Sequence, residues 1–182
     1  MNLSTKQLLT LGVIAEIAIW VVSYFLTDSL NETFRLAARF SGRLSAVVFL
    51  FTFYTYAKAY RAAEKPQVQK LVTLFAVLHV IHWGFLATNV YLNDIPLETH
   101  KLIGGGLAYL MIVVAPFRLL RLKPALQLVY FYYVTLIMSM TYVARIKGEF
   151  LGVEPYWWHY TMLGTFVICA VLFGRLMYSA KP

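Results

Sequence analysis

Long apolar stretches separated by short polar ones run the length of the chain, and six of them are long enough to cross a bilayer. A bilayer core takes about 20 mostly apolar residues per helix. The pattern predicts spans over Leu8–Leu26, Phe40–Tyr60, Leu71–Tyr91, Leu102–Leu120, Leu126–Ala144 and Trp157–Met177. The connections are short, so spans adjacent in sequence are expected to pack antiparallel. No long linker or low-complexity segment interrupts residues 1–182, which read as a single domain. The expected fold class is all-α: an integral membrane bundle of six transmembrane helices.

The polar positions orient that bundle. Lys58, Arg61, Lys65 and Lys70 follow the second span against one acid, Glu64, and Arg118, Arg121 and Lys123 follow the fourth with none. Arg175 and Lys181 end the chain, whereas Asp28, Glu32, Asp94, Glu98, Glu149 and Glu154 all fall on the odd connections. Positive charge favours the cytoplasmic side, which predicts both termini cytoplasmic and a multi-pass protein of the plasma (bacterial inner) membrane. The basic run Arg35, Arg39, Arg43 is the exception. Trp157 and Trp158 precede the sixth span as interface anchors.

Composition agrees with the lipid bilayer as the main partner. The 182 residues are 60% hydrophobic and only 13% charged, with a mean hydropathy of +0.68; a soluble domain carries about 25% charged residues. The net charge of +8 follows from the basic connections, and nothing requires nucleic acid. The single cysteine, Cys169, excludes an internal disulfide and reads as an apolar packing residue. The first span holds Glu16 and lacks a small-residue cleavage pattern after it, so it is read as a retained helix.

The candidate chemistry lies in the third span. His79 and His82 stand three residues apart in Leu71-Val-Thr-Leu-Phe-Ala-Val-Leu-His-Val-Ile-His82, which places them on nearly one helix face. An ionisable residue inside a membrane helix is costly to keep and points to function, and imidazole is a common ligand of haem iron. One is read as a ligand and the other as a ligand or its hydrogen-bonded neighbour; the plainer alternative is a polar pair bonded to a neighbouring helix. Two residues at that spacing cannot take opposite faces of one haem. His159 and His100 are weaker candidates near the same side. Glu16 reads either as a structural hydrogen-bonding group or as a proton relay. Gly104-Gly-Gly106 follows no strand and is no nucleotide loop; it suits close approach of a helix or a flat ring. The chain has no CxxCH motif, so a haem would be non-covalent.

Several segments together resemble the ferric reductase-like transmembrane domain family in its short bacterial form. They are Phe34-Arg-Leu-Ala-Ala-Arg-Phe-Ser-Gly-Arg-Leu-Ser45, Ala76-Val-Leu-His-Val-Ile-His82, Gly104-Gly-Gly-Leu-Ala-Tyr109, and Leu126-Gln-Leu-Val-Tyr-Phe-Tyr-Tyr133 with Tyr142-Val-Ala-Arg145. The likeness runs from about residue 34 to 145. It implies a helical bundle holding b-type haem through histidines of the third and fifth spans, and one-electron transfer. Gln127 stands where the family has its fifth-span histidine, and that span contains no histidine. The resemblance therefore leaves three outcomes: haem lost, haem on His79 or His82 alone, or a substitute such as His159. Arg39 and Arg43 are candidates for pairing with haem propionates.

The expected function is a membrane b-type haem protein exchanging single electrons with a separate redox partner. The alternatives are a haem-free membrane scaffold or subunit of the same fold, and a proton-coupled transporter using Glu16 and His82. No soluble flavin or nicotinamide module is present in the chain, so no catalytic residue is assigned.

Overall fold

The computed structural model describes residues 3–96, 99–149 and 154–179, without the side chains of His100 and Lys101. Its six α-helices are α1 (Thr5–Phe25), α2 (Leu30–Lys58), α3 (Pro66–Leu92), α4 (Thr99–Arg118), α5 (Pro124–Ile146) and α6 (Trp157–Ser179). A 3₁₀ turn, Leu119–Arg121, joins α4 to α5. No strand occurs among the described residues. All six are long and apolar enough to cross a membrane, as the hydrophobic pattern predicts.

The main difference from expectation is where α2 begins. It starts ten residues before Phe40, because Ser29 caps it by accepting from the Glu32 amide. An N-cap of this kind satisfies an amide that the first helical turn leaves open. The basic run Arg35–Arg43 is therefore helix, not connection. Arg35 reaches Glu32 at 2.7 Å and Asn93 Oδ1 at 2.8 Å. Asn31 Nδ2 donates to the Leu92 carbonyl at 3.0 Å. These bonds latch the start of α2 to the end of α3.

α2 packs against α1, α3 and α6; α3 also packs against α1 and α4, and α5 against α4 and α6. The core is aromatic. Phe49, Phe53 and Tyr56 of α2 meet Phe75, Phe131 and Phe166, all fully buried. Phe131 stacks on Tyr56 at 4.3 Å and on Phe53 at 4.9 Å.

α1 is arranged the other way round. Its buried residues are Glu16 and Ser23, while Leu11, Ile14, Ile17 and Val22 are exposed. Water would not tolerate such an apolar outer face; lipid does. The bundle has one end that carries the start of α1, the end of α6 and the residue 59–65 and 119–123 connections, here the basic end. The other is the acidic end.

Candidate functional site

His79 is equidistant from the two ends of α3, and His82 lies one turn nearer the acidic end. This shifts the pair toward that end relative to the expected span, because α3 starts five residues earlier than Leu71. Their rings stand 5.5 Å apart. The face they share is turned toward α2, where small residues make room. Ser45 Oγ lies 2.8 Å from His79 Nδ1. Ala37, Ser41 and Ser45 are buried, and Gly42 lies directly beneath His82. A Cβ on Gly42 would fall 3.0 Å from His82 Cε1. On its other side His79 stacks against Tyr109 of α4 at 4.6 Å, and Phe75 lies 5.1 Å away.

His79 is thus oriented and His82 is cradled. A hydroxyl engaging Nδ1 sets the ring's rotation, as outer partners do for metal-ligating histidines. With Nδ1–H donated to Ser45, the His79 Nε2 lone pair is available to a ligand. His82 Nδ1 is buried without a hydrogen-bond partner.

α1 completes this level. A Cβ on Gly12 would fall 3.1 Å from Leu78 Cδ2, and α1 and α3 run in the same direction. One turn further along both helices brings Glu16 level with His82. The Glu16 carboxyl also lies beside the Ser41 hydroxyl, but neither of its oxygens nor Ser41 Oγ closes a hydrogen bond. Glu16 is only 2% exposed. An unsatisfied buried polar group costs about 1–3 kcal/mol. Glu16→Leu is accordingly expected to raise the thermal unfolding midpoint of the detergent-solubilised protein; a lowered midpoint would show that the carboxyl holds the helices together.

Arginines flank the pair toward the acidic end. Arg43 lies over the rings of Phe40, at 5.4 Å, and Trp158, at 5.6 Å. Arg43 Nε and Trp158 Nε1 are both buried donors with no acceptor. Trp158 is therefore turned into the bundle, whereas Trp157 is 58% exposed and suits the interface position expected of both. Arg145, at the end of α5, acts electrostatically on both His82 and His159, and it interacts with Arg39 and Arg43. Arg145 is not among the site residues expected from the sequence. Its signal is a charge within a span's last turn, legible only as a helix C-terminal cation.

The remaining candidates are not brought to the pair in the same way. His159 is buried in the first turn of α6. Its Nδ1 accepts from the Tyr156 amide at 3.3 Å. The neutral ring then carries its proton on Nε2 and presents a donor there, not a lone pair. His100 lies in the first turn of α4, but its side chain is outside the described residues. Gly104 accepts from the Tyr133 hydroxyl through its carbonyl at 3.1 Å. A Cβ on Gly105 or Gly106 would meet nothing within 4 Å.

Gln127 has a structural task. It is 4% exposed, and its amide donates to the Leu122 carbonyl at 2.8 Å and, weakly, to that of Leu120 at 3.4 Å. It fastens the 3₁₀ turn to the first turn of α5. Gln127→Ala is expected to cost about 1 kcal/mol, because the partly buried Leu122 carbonyl loses its donor. Unchanged chemical unfolding would show that the turn holds without it.

No family model, curated protein or solved structure matches this chain.

Proposed function

We propose that this chain is a multi-pass membrane protein that holds b-type haem on His79 and exchanges single electrons with a separate redox partner. The observation that carries the reading is the Ser45–His79 contact of 2.8 Å at mid-helix. With Nδ1 engaged by Ser45, Nε2 would be the nitrogen left to ligate a haem iron. The orphaned donors Arg43 Nε and Trp158 Nε1 lie toward the acidic end, where carboxylates would satisfy them. They suit haem propionates, with Arg39 and Arg145 adding positive charge nearby. His82, over Gly42, supports the site or shares in ligation.

Among the described residues His79 would hold the haem iron, and no histidine of another helix presents a lone pair as a second ligand. α5 contributes Gln127 instead of histidine, and His159 presents its Nε2 proton. Bound haem supplies a one-electron couple. The chain's own residues would position it through His79, flank it with Phe75 and Tyr109, and offer Arg43 and Trp158 donors to its carboxylates. The resemblance of residues 34–145 to ferric reductase-like domains supports the same reading, and the charge of the basic connections supports cytoplasmic termini, as in a bacterial inner-membrane protein.

The second reading is a haem-free scaffold of this architecture. Gln127 favours it, since the position where the family ligates is committed to a turn. The deciding measurement is the absorption spectrum of detergent-purified protein expressed with ample haem, oxidised and then reduced with dithionite. A Soret band that shifts on reduction, with haem in stoichiometric amount, is expected. A featureless visible spectrum would overturn the electron-transfer reading in favour of the scaffold.

A further inference from the structure

A second site is built at the basic end, where α4 breaks. Pro116 lacks an N–H, so the helix cannot close its bond to the Ile112 carbonyl. Two residues later α4 gives way to the 3₁₀ turn. Gln69 of α3 donates its side-chain amide to the Pro116 carbonyl at 2.6 Å, pinning the broken end and leaving a wedge between the helices. The resulting cleft has a volume of about 380 Å³ and is lined by Gln69, Pro116, Phe117, Arg118, Leu120 and Arg121.

Its charge is one-sided. From residue 99 to 148 the sequence contains no Asp or Glu, and neither Arg118 nor Arg121 makes an ion pair among the described residues. The cleft's rim carries an exposed apolar side chain, Phe117, 71% exposed, and Leu122 and Leu126, 41% and 50% exposed, follow shortly after it in sequence. Guanidinium groups pair naturally with phosphate oxygens. A free phosphate ion would use the arginines alone. A phospholipid would use both the arginines and the apolar rim, and basic pockets between membrane helices on the cytoplasmic side take such headgroups.

We infer that this cleft binds the headgroup phosphate of an anionic phospholipid, with Arg118 and Arg121 as its ligands and Phe117 against an acyl chain. The site lies at the opposite end of the bundle from the arginines flanking His82, and it does not depend on the haem reading.

The test reconstitutes the full chain in vesicles of equal phosphatidylcholine and phosphatidylglycerol, releases it in mild detergent and counts retained lipids by native mass spectrometry. Wild type is expected to retain phosphatidylglycerol in preference to phosphatidylcholine. The double variant Arg118→Gln/Arg121→Gln should lose that preference, with retention weakened on the order of 30-fold for two charges. Arg61→Gln/Lys65→Gln removes as much charge from the same end outside the cleft and should keep it. Equal loss in both double variants would overturn the site in favour of diffuse surface charge. Displacement of the lipid by millimolar inorganic phosphate would equally overturn it, by showing that the cleft recognises the ion and not the lipid.

Discussion

His79→Ala is expected to remove the haem spectrum of the purified protein altogether, while Ser45→Ala leaves it present but weakly held. The contrast follows from what each residue does in the proposed site. His79 would supply the only oriented nitrogen at mid-helix; without it, no other described imidazole has an Nδ1 held by a side-chain hydroxyl. Ser45 touches the ring, not the iron. Loss of such an outer partner typically weakens metal affinity by about 10- to 100-fold without abolishing it. Haem content per chain, measured after the same detergent wash, separates the two. Full haem retention in His79→Ala would transfer the ligand role to His82, whose Nδ1 has no partner. Equal loss in Ser45→Ala and His79→Ala would indicate collapse of the α2–α3 seam, and unfolding curves of both variants distinguish that outcome.

Gly42→Leu is expected to give the largest loss of stability of any substitution at the pair's own level. A Cβ there already falls 3.0 Å from His82 Cε1 and 3.4 Å from Nε2. The imidazole is a rigid ring anchored on α3, so a full side chain has no flexible terminus to displace. Overpacking a tight helix interface costs about 1–3 kcal/mol, and here it also swings His82 out of register with His79. Gly84 of α3 provides the control, because a Cβ there meets nothing within 4 Å. Gly84→Ala should stabilise α3 by up to about 1 kcal/mol through helix propensity alone. If Gly42→Leu unfolds at the same denaturant concentration as wild type, the close approach of α2 to His82 is not a structural requirement.

Much of the architecture was legible from periodicity and charge. Six apolar runs of membrane length specify six helices, since a backbone in lipid must close its hydrogen bonds internally. His79 and His82 share a face because helical pitch dictates it. Charge had a weaker hold on the helix bounds. The stretch before Phe40, with Arg35 and Arg39, reads as an approach to the span because it is basic, yet a serine cap and a latch of arginine and asparagine extend α2 through it. Hydropathy registers polarity along the chain, whereas a cap is a local hydrogen bond, visible only once the backbone has turned.

Local pattern is enough to give the all-helical class, six helices of membrane length, their basic and acidic ends, and the place of the histidine pair on one face of one helix. These depend on local pitch and on the cost of exposing backbone and charge to lipid. What meets that face depends on the packing of the helices. Ser45 and Gly42 under the two imidazoles, Glu16 at the level of His82, and Arg145 arriving from α5 come from three separate helices. The packing also sets the roles that remove candidates, with Gln127 fastening a turn and His159 committed to the Tyr156 amide. Such partnerships are set by which small residues let two helices approach and by how broken ends find donors, and neither is written in the period of any single span.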